Sequence, residues 1–192
     1  MSARSRVEPA FFDRLYAEAA DPWGFASRPY ERAKFDATLA ALPDGPIGSA
    51  LEVGCSIGVL SERLAPRCER LLAVDVAEAA LARARERLAG HRNVSLERRE
   101  LPEAFPPGPF ALVVCSEVLY YLDPPAFDAM LDALDGALAP GGSLLAVHWR
   151  HPTETYPLRG DEVHARLAER FGAPALSAPT HDYALDRFDR PA

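Results

Sequence analysis

The residues of this chain best suited to chemistry gather at a few places, and the most compact is LEVGCSIGVL at 51–60. An apolar run there leads into Gly54-x-Ser56-x-Gly58 and then a helix-like stretch, with Glu52 two residues ahead of the turn. Small residues at alternate positions let the backbone turn sharply and bring a ligand close to the N–H groups of a helix start. Asp75 ends the next apolar run, where a carboxylate can accept two hydrogen bonds from a ribose diol. Read alone, GxSxG is equally a tight strand-to-helix connection. It is also the spelling of a hydrolase nucleophile elbow, but Ser56 lies at the first strand of the alternation and not at a central one. The GxGxxG of a nicotinamide site fits this spacing poorly.

Two further groups suit proton handling. Glu117, Tyr120 and Tyr121 follow the apolar run FALVVCS, and His148, Trp149, Arg150 and His151 end the run SLLAVHW. A carboxylate or imidazole can hold or receive the proton of an amine nucleophile. Glu117 and His148 are therefore expected as the proton-handling pair, with Tyr120, Arg150 and His151 as groups that orient a substrate. Tyr156, Asp161 and His164 follow where they could roof such a site. The plainer alternatives are that Tyr120 and Tyr121 are packed aromatics with hydroxyls at the surface and that His164 is a surface residue; His91 and His181 are expected at the surface. Near the N-terminus, Trp23, Phe25, Tyr30, Arg32 and Lys34 combine aromatic and cationic character. Such a segment can cover a ligand and exclude water, with Arg32 gripping a carboxylate in a bidentate contact. Alternatively Tyr30, Phe35 and Leu39 are helix packing and Arg32 is a solvated neighbour of Glu31.

These groups need a frame, and the hydrophobic pattern supplies one. Two helices are expected at roughly 9–20 and 29–42, separated by DPWGFASRP, whose prolines and glycine cannot continue a helix. After the break PDGPIG, short apolar runs alternate with amphipathic stretches up to residue 150, the mark of parallel βαβ units. Asp75 with Glu78 resembles a capping box, Gly90 is placed to end a helix, and Asp123 with Pro124 opens another that Pro140-Gly141-Gly142 closes. A helix near 161–171 and two strand-like pieces at 175–178 and 183–188 complete the chain. A single domain over 1–192 follows, with an N-terminal helical lid at 1–45, a cofactor-binding core at 46–150 and an acceptor-side tail at 151–192.

Composition narrows the function. The 192 residues are 48% hydrophobic and 26% charged, enough for one folded domain. Lys plus Arg is 21 against 28 for Asp plus Glu, and the net charge of −7 disfavours a partner gripped through phosphates, so no nucleic acid is expected. Only Lys34 among the basic residues is lysine. Cys55, Cys68 and Cys115 form no CxxC pair and have no histidine at metal-ligand spacing, so a reduced cytoplasmic setting and no metal are expected, with Cys55 and Cys115 as small packed residues. No apolar run approaches the roughly 18 residues of a membrane span, and MSARSRVEPAFF has no long apolar core, so neither export nor anchoring is expected.

The pattern E-x-G-x-S-x-G followed by an acidic end to the second strand resembles class I S-adenosylmethionine-dependent methyltransferases. LERRELPEAF, FALVVCSEVLYYL and LAPGGSLLAV extend the likeness across the third, fourth and fifth strands. In DPWGF, PYERAKFDATLAALP, SEVLYYL and VHWRHPTETYPLRGDEVHARL the chain is similar to the nodulation protein S family of N-methyltransferases, from about Phe11 to Pro191. The resemblance implies a Rossmann-like α/β fold with a mostly parallel seven-stranded sheet, helices on both faces and the N-terminal lid. It implies S-adenosyl-L-methionine as methyl donor, S-adenosyl-L-homocysteine as product and no metal. Glu52 and Gly54 would lie beside the amino acid end of the cofactor, with Ser56 and Gly58 in the same turn. Asp75 would bind the ribose, Val76 would pack near the adenine, and Glu100 with Leu101 would stand at the adenine amino group. Ser116 and Glu117 would face the reaction centre, and Trp23, Tyr30 and Arg32 would close over the cofactor. Two positions depart from the family pattern: Glu100 replaces the usual Asp, and Ala111 replaces the Asp of an FD pair. The implied reaction is methylation of a small molecule, an amine of an amino sugar or an oligosaccharide end. O- or C-methylation of another metabolite, or a silent nucleotide-binding module, are the alternatives.

Overall fold

A computed structural model describes residues 5–192 and realises the expected alternation. Its helices are α1 (Pro9–Glu18), α2 (Pro29–Ala40), α3 (Val59–Leu64), α4 (Glu78–Arg87), α5 (Pro124–Ala137) and α6 (Gly160–Phe171). Its strands are β1 (Ile47–Val53), β2 (Cys68–Asp75), β3 (Val94–Arg98), β4 (Phe110–Ser116), β5 (Leu138–Trp149), β6 (Leu176–Ser177) and β7 (Tyr183–Asp189). The strand order is β3-β2-β1-β4-β5-β7-β6, a mostly parallel seven-stranded sheet. By their internal contacts the described residues form two compact units, Glu8–Glu100 and residues 5–7 with Leu101–Ala192. No helix among the described residues is long and apolar enough to cross a membrane.

In the first unit β1, β2 and β3 run parallel, with Glu52 opposite Ala73 and Asp75 opposite Arg98. Both faces of β1 and β2 are covered, which is why their sequences read as nearly continuous apolar runs. Helix α1 belongs to this unit. Its Tyr16 is buried with Ile57, Ala77 and Ala80, and Arg83 of α4 donates to the Tyr16 carbonyl at 2.8 Å.

Gly58 caps the start of α3 at φ 77°, and a Cβ built there would lie 3.1 Å from Leu88 Cδ1 and 3.3 Å from the α4 backbone at Ala84 Cα. Only glycine meets both demands, of left-handed backbone and of close helix approach. Gly58→Ala is expected to cost about 1–3 kcal/mol, read as a lower urea midpoint at unchanged slope. An unaltered midpoint would mean that α4 gives way freely.

In the second unit β4 and β5 are parallel, while β7 runs antiparallel to β5 and to β6, the expected terminal hairpin. Asp123 caps α5, its Oδ1 accepting from the Ala126 N–H at 3.1 Å, as the Asp-Pro signal predicts. Two punctuation signals work differently from expectation. Pro140-Gly141-Gly142 lies within the bounds of β5, where the pairing register shifts between Phe110 and Leu112, so it makes an irregularity at a strand start and not a separate loop. Asp75 forms no capping box with Glu78: the residue before α4 is Ala77, and the Asp75 carboxylate serves backbone donors on both sides.

Candidate functional site

The first unit carries the turn and its acidic followers. Gly54, Ser56 and Gly58 all have positive φ, at 73°, 54° and 77°. Gly54 and Cys55 both donate to the Val74 carbonyl at 2.9 Å, which fixes the turn beyond the end of β1. A left-handed conformation at a serine costs roughly 1–3 kcal/mol, and the neighbours of Ser56 hold it there. Its N–H donates to Asp75 Oδ2 at 2.8 Å and its hydroxyl meets the Tyr16 hydroxyl at 2.5 Å. Asp75 Oδ1 accepts from the Ala77 N–H at 2.9 Å. Two backbone donors therefore use about half of the roughly four acceptor positions of this carboxylate. Burial raises the Asp75 pKa, and the hydrogen bonds from the Ala77 and Ser56 N–H groups oppose that rise. The half-buried carboxylate is held in one rotamer, aimed beyond the strand end.

Glu52 is 2% exposed. Burial pushes its pKa from 4.5 up to about 8, and Ser61 opposes this only in part. Neither Glu52 Oε2 nor Ser61 Oγ has a partner of hydrogen-bonding geometry. A buried carboxyl with an unpartnered oxygen is costly and fits a site that a cationic or donor group completes. Below pH 4.5 the carboxyl is protonated whether folded or not; between there and about 8 the unfolded chain sheds a proton that the folded chain keeps, so stability falls as pH rises through that window. Glu52→Gln is expected to raise stability by up to about 3 kcal/mol at neutral pH, with no gain near pH 4, as measured by denaturant midpoints. A lowered midpoint at neutral pH would show that Glu52 is satisfied as a carboxylate.

Other residues expected around the cofactor are placed as follows. Trp23 is half-buried and packs edge-on against Tyr16 at 5.5 Å and stacks on Phe25 at 5.5 Å. Tyr30 is 37% exposed, with the Lys34 ammonium 5.3 Å from its ring centre. Arg32 is exposed, whereas its neighbour Glu31 is buried and paired with Lys34 one helical turn on at 2.9 Å, so of the alternative of a solvated Glu31–Arg32 surface only Arg32 is solvated. Val76 and Leu101 are partly exposed and Glu100 is exposed. Tyr16 was not singled out from sequence. Its place in an apolar-faced helix ahead of the turn is the only local signal it offers.

The second unit carries the other group. Glu117 follows β4 in a left-handed conformation, φ 58°, with its N–H donating to the Val147 carbonyl at 2.8 Å. Its Oε2 accepts from the Tyr120 hydroxyl at 2.5 Å and from the Trp149 N–H at 3.0 Å. Tyr120 is 4% exposed, its ring stacked on Tyr156 at 4.8 Å and edge-on to Tyr121 at 4.8 Å. The expectation of a tyrosine hydroxyl at the surface is thus corrected for Tyr120. Burial, with the Glu117 charge, holds that phenol well above its ordinary pKa, so it acts as a donor to Glu117 and not as a base. Ser116 is partly exposed at the last position of β4.

His148 is fully buried, and both ring nitrogens are engaged. Nε2 accepts from the Leu119 N–H at 3.2 Å, so the ring proton sits on Nδ1, which donates to His164 Nε2 at 3.1 Å. His164 Nδ1 in turn donates to Asp186 Oδ2 at 2.5 Å. Burial raises the Asp186 pKa, but the hydrogen bonds from His164 and Ser177, with the charge interaction of His164, together outweigh it and keep the carboxyl below its ordinary value. The expectation that His148 meets a substrate proton is corrected: the ring anchors the helical turn Leu119–Tyr121 that carries Tyr120. His164, expected at the surface, is 7% exposed, because it shares the inward stripe of α6 with Gly160, Val163 and Leu167. That i, i+3, i+4, i+7 spacing was the signal for it. Asp186 sits across from Ala146 in the β5–β7 register, on the same face as His148.

Arg150 and His151 also have structural partners. Arg150 donates to Asp161 Oδ1 at 2.6 Å and to the Thr180 carbonyl at 2.8 Å, tying α6 and the β6–β7 turn to the end of β5. His151 Nε2 lies 2.8 Å from Asp182 Oδ1. Neither is aimed at Glu117 by any of these contacts. Cys55, Cys68 and Cys115 are buried free thiols.

A mostly parallel seven-stranded α/β sheet with a left-handed glycine turn after β1 and an acidic end to β2 is the fold of class I methyltransferases. A model of the nodulation protein S (NodS) family matches residues 12–151, and the chain belongs to that family. It is 40% identical over 129 residues to nodulation protein S of Rhizobium tropici, covering 66% of this chain and 54% of that protein. The N-methyltransferase NodS of Bradyrhizobium japonicum WM9, solved in complex with S-adenosyl-L-homocysteine, superposes with a TM-score of 0.84 at 30% identity, over 95% of this chain and 98% of that one. A ubiquinone biosynthesis O-methyltransferase of Dechloromonas aromatica is 30% identical over 148 residues, 74% of this chain and 58% of that protein. The chain spans only 51–61% of the length of the curated nodulation proteins it matches.

Proposed function

We propose that the chain transfers a methyl group from S-adenosyl-L-methionine to the amine nitrogen of an amino sugar or of an oligosaccharide end. The observation that carries this is the Glu52, Gly54–Gly58 and Asp75 constellation in a member of the NodS family. The residues present fit the cofactor: Glu52 offers a buried carboxyl oxygen with no partner, suited to an ammonium, and Asp75 offers a fixed carboxylate with acceptor positions to spare for a diol. Val76, Leu101 and Glu100 would serve the adenine, and Trp23, Tyr30 and Arg32 would close over the ligand as a lid. The NodS relative of Bradyrhizobium japonicum WM9 was solved with S-adenosyl-L-homocysteine, which supports this choice of cofactor.

When bound, S-adenosyl-L-methionine supplies an electrophilic methyl on a cationic sulfur. Transfer would need the lone pair of the acceptor nitrogen in line with that methyl, so the chain's task is to place an unprotonated amine there. Glu117 suits this task, because the strand exit and two hydrogen bonds fix its carboxylate, which can hold the amine and take its proton. Tyr120 and the His148–His164–Asp186 chain keep Glu117 and its turn in place. The buried thiols fit a reduced, cytoplasmic setting. A second reading, methylation of oxygen, is favoured by the likeness to the Dechloromonas aromatica O-methyltransferase. Incubation with S-adenosyl-L-methionine and a panel of amino sugars, chitin-type oligosaccharides and small amines, followed by mass spectrometry, tests the proposal. Methylated amino sugar supports it; methylation confined to amine-free acceptors, or none at all, defeats it.

A further inference from the structure

The spacing of histidines along the chain gives no metal motif, yet folding brings three ligand-bearing residues together at the end of β5 and the β6–β7 turn. We propose that His151, His181 and Asp182 bind a divalent cation of the zinc class. Their nearest ligand atoms all lie within 4.8 Å of one another. His151 Nε2 and His181 Nδ1 stand 2.8 Å and 3.1 Å from the same carboxylate oxygen, Asp182 Oδ1. In a tetrahedral zinc site, with bonds of about 2.0–2.2 Å, neighbouring ligand atoms are roughly 3.3 Å apart. Two of the three separations are thus close to the required value already, and a small turn of the exposed His181 ring sets the third.

The backbone that carries these ligands is braced. Thr180 Oγ1 accepts from the N–H groups of Asp182 at 3.2 Å and Tyr183 at 3.1 Å, and the Thr180 N–H donates to the Tyr183 carbonyl at 2.8 Å. The turn is joined to the β5 exit by the Arg150 N–H, which donates to the Asp182 carbonyl at 2.9 Å, and by the Arg150 side chain on the Thr180 carbonyl at 2.8 Å. Two imidazoles and one carboxylate select a borderline cation such as Zn2+ over the oxygen-seeking Mg2+ and Ca2+. Each neutral ring presents the nitrogen now facing Asp182, its single proton moving to the other ring nitrogen, and water completes the fourth position. A bound cation would lock the β6–β7 turn to the end of β5.

The test reads metal binding directly and needs no methyl transfer. Full-length chain with any affinity tag removed and metal stripped by chelator is titrated with Zn2+ in a calorimeter, and with Co2+ while the visible spectrum is recorded. One saturable equivalent and a tetrahedral Co2+ absorption band are expected. His181→Ala and Asp182→Asn should each weaken binding by at least about tenfold, while His91→Ala should bind as the parent does. His181 is so exposed that its replacement leaves the fold intact, which circular dichroism verifies. Absence of saturable Zn2+ binding in the parent, or equal binding by His181→Ala, overturns the proposal.

Discussion

Asp75→Ala is expected to weaken binding of S-adenosyl-L-homocysteine by at least about 100-fold, because two hydrogen bonds from a ribose diol to a charged acceptor contribute roughly 1.5–3 kcal/mol each. The carboxylate is suited to this because its backbone bonds to Ser56 and Ala77 fix it before any ligand arrives. The same bonds mean that alanine strands two N–H donors, so part of the loss would come from a loosened turn. Asp75→Asn separates the contributions: it keeps an acceptor oxygen for one of the donors while removing the charge. Calorimetry with each variant, beside a urea unfolding curve, gives binding and stability independently. An Asp75→Ala protein that binds within a few-fold of the parent would remove Asp75 from the cofactor site.

Glu117→Gln should lower kcat by about 100-fold or more with little change in the cofactor's affinity, the usual range for loss of a positioned base. Glutamine keeps an oxygen to accept from Tyr120 or the Trp149 N–H, so the local structure survives while the charge goes. The left-handed backbone at Glu117 allows a second variant. Glycine is at ease at φ 58°, but it leaves the buried Tyr120 hydroxyl and the Trp149 N–H without their acceptor, so Glu117→Gly should be less stable than the parent by about 1–3 kcal/mol and as inactive as Glu117→Gln. A folded and active Glu117→Gly would show that the strained residue is there for structure alone. Initial rates against acceptor concentration distinguish these outcomes.

Much of the frame was legible because its signals are local. Apolar runs and punctuation place β1, β2, β4 and α5 closely, and Asp123 caps α5 as its position before Pro124 implies. The Pro140-Gly141-Gly142 segment misleads because strand pairing to β4 begins before it, at Leu138, and tertiary pairing overrides the local break. At the sites the difference is one of range. Glu52, Gly54, Gly58 and Asp75 lie at the ends of two adjacent strands, where motif spacing is enough to gather them.

His148, His164 and Asp186 come from β5, α6 and β7, and His151 meets Asp182 across the same β5–β7 pair. No spacing rule joins positions brought together by antiparallel register and helix packing. A histidine that ends a strand looks like a reactive group in sequence. Only the Leu119 N–H on its Nε2 and His164 on its Nδ1 show that His148 holds the turn instead. Tyr16 is the converse case, an ordinary helical aromatic by sequence whose hydroxyl meets Ser56 in the glycine turn.

Transfer of a methyl group to nitrogen leaves a signature in the product. The full chain, S-adenosyl-L-methionine labelled in its methyl carbon, and a chitin-type oligosaccharide offered with its end amine free or acetylated test it directly by carbon-13 NMR of the product. A labelled N-methyl resonance that grows with the free amine and is absent with the acetylated sugar, and that Glu117→Gln suppresses, is the predicted result. Label appearing on oxygen or carbon, or in equal amount with the acetylated sugar, would contradict it.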